Sequence, residues 1–211
     1  MKGLCSGICV TLISICVLAS AGMDMDKRTE GNKERIARMA TLKDEERMEL
    51  LGKLSRERSD IQGDLIHQLA NSTSKDMKFA AAFLLGMYRM EQSVRELSKF
   101  ITLESHHSID WKREPLWDRY PVVEALIRIG KPAIPEMIRN IETSEDKKVQ
   151  ELSARVIRYV EGAEIGRIVI EKAMEKQSDP RRKANLEAAL KYLETLQQEV
   201  SDAPKRANKG K

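Results

Sequence analysis

Cysteine is scarce in this chain and confined to one end: Cys5, Cys9 and Cys16 are its only copies. A body without thiols excludes disulfide scaffolds, thiolate metal sites and cysteine nucleophiles beyond residue 16. Aromatic residues make up 4% of the chain, and both tryptophans, Trp111 and Trp117, fall in one short stretch. So few aromatics, set against abundant Leu, Ala, Glu, Lys and Arg, argue against an all-β sandwich. Charge of one sign is also missing from the body. The formal net charge is +4, yet residues 22–200 contain equal numbers of basic and acidic side chains. The excess lies in Lys2 and in the tail Ser201–Lys211, which carries Lys205, Arg206, Lys209 and Lys211 against Asp202. A neutral body gives little reason to expect nucleic acid as a partner.

One long uncharged run is present. From Gly3 to Met23 no side chain is charged, and the run closes on Ala19-Ser20-Ala21. A basic start, an apolar centre and small residues before a cleavage point are the features of a secretory signal, so residues 1–21 are expected to be removed after Ala21. The competing expectation is an uncleaved anchor, because about 18 apolar residues just span a bilayer. Ile8 and Ile15 precede the two inner cysteines, which does not suit lipidation. The expected location is secreted or periplasmic; an N-terminal anchor facing outside the cytoplasm is the alternative, and it alone would bring the chain to a membrane.

Residues 22–40 read as a polar linker with a short helix at Ile36 and Met39, and 41–200 as helix after helix. Thr41 and Asp44 have capping-box spacing. Met48, Leu51 and Leu54 then recur at helical intervals, and Ser59 or Asp60 is expected to cap a helix bearing Ile61, Leu65, Ile66 and Leu69. Phe79, Phe83, Leu84 and Met87 lead to Gly86, followed by Met90, Val94, Leu97 and Ile101. Val122, Val123, Leu126, Ile127 and Ile129 lead to Gly130, followed by Ile134, Met137, Ile138 and Ile141. Placing Gly86 on Gly130 aligns apolar residues four, eight and eleven positions later in both. A looser copy runs through Val149, Leu152, Val156, Tyr159 and Val160 to Gly162, with Ile165, Ile168 and Val169 after it. Asp179-Pro180 is a strong start for a last helix containing Leu186, Ala189, Leu190, Leu193 and Leu196. A helical hairpin recurring at roughly 30 residues is the mark of a solenoid.

The segment Glu124-Ala125-Leu126-Ile127-Arg128-Ile129-Gly130-Lys131-Pro132-Ala133-Ile134-Pro135-Glu136-Met137-Ile138 resembles the core of a HEAT repeat, and Phe83-Leu84-Leu85-Gly86 with Val94 and Leu97 is similar without the proline. The resemblance extends over about residues 60–198. It implies an all-α, right-handed α-solenoid of about four HEAT-like hairpins, with a long C-terminal capping helix at 180–199 and a disordered basic tail over 201–211. It also implies a curved surface for a protein partner, while leaving the activity open because such folds host many roles.

The interruption Glu104–Arg119 holds both tryptophans, His106 and His107. Long loops of this kind are uncommon in compact domains and often functional. Trp111, Trp117 and Arg119 are therefore the candidate partner-binding residues, with packing of the two rings over a neighbouring hairpin as the competing role. No metal, cofactor or catalytic residue is assigned. His106 and His107 are adjacent and point apart in an extended loop, and His67 stands alone. Repeated His-Glu dipeptides, required by the HEAT-like di-iron hydroxylases, are absent, as are the Gly-x-Ser-x-Gly elbow and Gly-rich phosphate loops. Arg181-Arg182-Lys183 opens the last helix, where cations oppose the dipole; a contact to an acidic group or a salt bridge to an earlier hairpin would account for it. A non-catalytic interaction or scaffold module of the envelope or secreted space is the leading expectation. A metal-dependent or hydrolytic enzyme using the 104–119 loop, or an envelope-anchored structural component, is the alternative.

Overall fold

A computed structural model describes residues 30–39, 42, 44–104 and 119–202. The N-terminal run 1–21, Thr41, Trp111, Trp117 and the tail beyond residue 202 lie outside the described residues. Among those described, the chain is all-α, with ten helices packed against one another: α1 (30–39), α2 (Asp44–Arg56), α3 (Arg58–Asn71), α4 (Lys75–Met87), α5 (Val94–Ser98), α6 (Pro121–Ile129), α7 (Ile134–Thr143), α8 (Lys147–Glu161), α9 (Ala163–Lys176) and α10 (Pro180–Asp202). They fall into two compact units that divide within α3, between Asp64 and Leu65.

In the first unit Ile36, Met39, Leu50, Leu51, Leu54 and Ile61 are buried. Asn32 donates from Nδ2 to Asp64 Oδ2 at 2.7 Å, and Arg35 pairs with Glu57 at 2.7 Å. Ser59 and Asp60, expected at a helix start, lie inside α3 rather than ahead of it. The α3 helix begins at Arg58, and Glu57 links it to α2 through Glu57 N to Leu54 O and Ile61 N to Glu57 O. These bonds carry the backbone through the turn at Glu57.

The second unit is built on consecutive pairs. Ser74 caps α4 by accepting from Met77 N. Ala80, Ala81 and Ala82 are buried, and α4 packs against α6. Gly86 makes that approach possible: a Cβ built there would lie 2.4 Å from Ala125 Cα. In turn α6 packs on α8, α7 on α8, and α8 on α9. Short 3₁₀ turns at Glu91–Ser93 and Lys131–Ala133 lead into α5 and α7, and α5 packs on α6 and α7. Across α5 and α7, Ser98 Oγ donates to Glu136 Oε1 at 2.9 Å. Asp179 caps α10 as expected, accepting from the backbone of Arg181 and Arg182. The helix then packs on α7, α8 and α9 together.

The correspondence of α4 and α5 with α6 and α7 differs from the glycine alignment. Arg89 (φ 50°), not Gly86, has the positive φ after α4, as Gly130 (φ 85°) has after α6. The matching 3₁₀ turns set Val94 on Ile134, Leu97 on Met137 and Ile101 on Ile141, one helical turn away from the alignment by glycine. Apolar residues on a helix recur about every 3.6 positions, so a slip of four preserves the pattern and sequence alone does not detect it.

Candidate protein-interaction surface

The two described ends of the 104–119 segment are fastened together. Tyr120 Oη donates to Glu104 Oε1 at 2.8 Å, Arg119 pairs with Glu104 at 3.3 Å, and Lys148 from α8 lies 5.1 Å from the Tyr120 ring centre. The Tyr120 hydrogen bond is the largest cause holding the Glu104 carboxyl below its ordinary range; burial opposes it, and the Arg119 charge adds a smaller lowering effect. Of the three predicted site residues, Arg119 is the one described; its side chain is 62% exposed and 5.6 Å from the Tyr120 ring. It is tied to the base of the segment through Glu104 and Tyr120.

From this clamp a row of cation–aromatic contacts crosses the helices. Arg128 lies 5.5 Å from the Phe83 ring and pairs with Glu124. Further along, Arg155 donates to Tyr192 Oη at 2.6 Å with its guanidinium 5.8 Å from the ring. Burial pushes the Tyr192 phenol above its ordinary range, with Arg155 opposing. Such contacts are worth about 0.5–1 kcal/mol when exposed and more when desolvated. They join α4 to α6 and α8 to α10, and they fix the faces of these helices.

On α9 the apolar pattern and the burial differ. Ile165 and Ile168, which follow Gly162 in the looser copy, are 51% and 37% exposed, and Tyr159 on α8 is 42% exposed. The buried positions of α9 are Gly166 and Ile170. Gly166 lets the helix approach α8, since an added Cβ would meet Arg158 Cα at 3.1 Å. That close approach rotates the isoleucines out of the core. The Gly166–Ile170 spacing was the available signal, but a glycine carries no apolar weight in a periodicity count.

Between α7 and α9 lies an open groove with about 430 Å³ of room, walled by Ile138 and Glu142 on one side and Val169, Lys172, Ala173 and Lys176 on the other. Gln177 closes one end by donating to Glu142 Oε1 at 2.9 Å. The Arg181–Arg182 cluster finds its acids in Glu145 and Asp179. No group of three His, Cys, Asp or Glu among the described residues is placed to hold a metal ion, and His67 sits exposed with Nδ1 3.1 Å from Asn71 Nδ2. Nor is any helix among them long and apolar enough to cross a membrane. No family model matches the chain, and no curated protein matches it.

Proposed function

We propose that this chain is a non-catalytic protein-interaction module, a HEAT-like array of helical hairpins working outside the cytoplasm. The repeat reading is supported by a burial pattern that recurs three times: three buried residues, one half-buried, two buried, at 80–85, 121–126 and 152–157. Each is followed by a residue of positive φ, Arg89, Gly130 and Gly162. Export is supported by the uncharged run ending in Ala19-Ser20-Ala21.

The observation that carries the function is the exposure of Ile165 and Ile168 on α9, the helix whose Val169, Lys172, Ala173 and Lys176 wall the α7–α9 groove. Single exposed apolar residues are ordinary, but two large aliphatics one turn apart on a helix that also walls a groove support a docking surface. Trp111, Trp117 and Arg119 supply a second edge in this reading. The test is site-specific photo-crosslinking in the native envelope fraction. A photoreactive residue at position 165 should give a discrete adduct that the same residue at exposed position 195 does not. Trp111→Ala and Trp117→Ala should reduce partner capture while leaving helicity intact. Equal labelling from both positions, or none from 165, would refute the proposal.

A further inference from the structure

The glycines of the two units stand in different circumstances. In the second unit each described glycine is required. Gly86 and Gly166 sit where an added Cβ would meet the backbone of a neighbouring helix, and Gly130 and Gly162 hold positive φ. Neither reason applies to the interior glycines of the first unit. Gly52 lies inside α2 and Gly63 inside α3, both exposed, with nothing within 4 Å of an added Cβ and no positive φ.

A glycine inside a helix weakens it, because it loses more backbone freedom on folding than alanine does. Here no close approach offsets that loss. The two helices also meet at a break, the turn at Glu57, so one weak position precedes the joint and another follows it.

The first helix, α1, is tied to both sides of this joint. Arg35 Nη1 donates to Glu57 Oε2 at 2.7 Å in the turn and to Asn32 Oδ1 at 3.3 Å, and Asn32 Nδ2 donates to Asp64 Oδ2 at 2.7 Å in α3. The network is polar, and its Arg35–Glu57 end is partly exposed, where ion pairs contribute little. A stretch as short as 30–64 buries a marginal core, and no cysteine beyond residue 16 is available to staple it.

We propose that α1 is a releasable strap over the α2–α3 joint, and that residues 30–64 open and reclose together while the second unit stays folded. Such sub-global opening is drawn from the parts of a fold with the least apolar anchoring. Release uncovers Ile36, Leu50, Leu51, Leu54 and Ile61, which are buried while the strap is closed.

Native-state hydrogen exchange of the full chain, followed by mass spectrometry at low denaturant, tests this. Peptides from 30–64 should share one opening equilibrium and exchange before those of α6 to α8. Gly52→Ala and Gly63→Ala should each slow exchange over 30–64 about four- to fivefold, and about twentyfold together, with α6 to α8 unchanged. Asn32→Ala, which removes the donor to Asp64, should speed exchange over 30–64 about tenfold.

Equal protection of 30–64 and of α6 to α8 overturns the proposal, because the first unit would then open only in global unfolding. So does slowing by the two alanines that is the same in both regions. Exchange of α1 alone, with α2 and α3 as protected as α6 to α8, is end fraying and overturns it too. An Asn32→Ala protein that exchanges faster in α1 but not in α2 refutes the strap.

Discussion

Replacing Gly86 with alanine should destabilise the chain, although alanine is the better helix former by about 1 kcal/mol. The added Cβ would stand 2.4 Å from Ala125 Cα, 2.8 Å from its Cβ and 3.2 Å from its carbonyl oxygen. Carbon atoms prefer separations of about 3.5–4.0 Å, so α4 and α6 must part by roughly 1 Å at this crossing. A gap of that size forfeits about a quarter to a half of each contact's attraction along the seam. Overpacking of this kind costs about 1–3 kcal/mol or more. Here the nearest atom is backbone, which has no rotamer by which to yield, so a net loss of about 2 kcal/mol is expected after the propensity gain. For a chain of this size that lowers Tm by about 4–8 °C. Urea and thermal unfolding followed by helical circular dichroism would measure it. Gly63→Ala is the control, since nothing lies within 4 Å of a Cβ there and the variant should hold or gain stability. Adding Ala125→Gly to Gly86→Ala should restore stability only in part, because Ala125 Cα is still in the way. A Gly86→Ala protein that melts at or above the parent, as the control does, would refute the close α4–α6 approach.

Arg89 holds φ 50°, so Arg89→Gly should raise stability by about 1 kcal/mol, whereas Gly130→Ala at φ 85° and ψ −141° should cost about 1–3 kcal/mol; chemical denaturation of the two reads opposite signs. Because the folded-state pKa of Glu104 is lowered, its contribution is complete above the ordinary carboxylate range and lost as pH falls through that lowered value. Tyr120→Phe removes the largest cause, so carboxyl-carbon NMR should show the Glu104 titration moving upward; an unmoved titration would mean the clamp is not formed in solution. Arg155→Met should loosen α10 from α8, exposing the Tyr192 ring, and hydrogen exchange along 186–196 should rise while that of α4 does not.

The helices of the second unit were legible because their local signals agree with their packing. Asp179-Pro180 caps α10, Gly130 takes its positive φ, and Val122, Leu126, Met137 and Ile141 are buried at the positions their periodicity marks. The first unit was less legible, since Ser59 and Asp60 have cap chemistry but lie inside α3, which begins at Arg58. The glycine alignment is off by one helical turn because Gly86 looks like a stop signal and is instead a packing residue. The clamp at Glu104 and Tyr120, the Arg155–Tyr192 pair and the α7–α9 groove join residues distant in sequence, and no local pattern encodes them.

By itself the sequence determined that the chain is helical, that its body is neutral with the surplus cations at its two ends, and that thiols have no part beyond residue 16. Those properties follow from composition and 3.6-residue periodicity, which each segment carries alone. Which apolar residues are core was decided by tertiary structure. Ile165 and Ile170 have the same side chain on the same helix, yet one is exposed and the other buried. Gly166 is the reason: the missing Cβ lets α9 approach Arg158 and turns that face inward. Periodicity shows that a helix has an apolar side, but only its neighbours settle which side is covered.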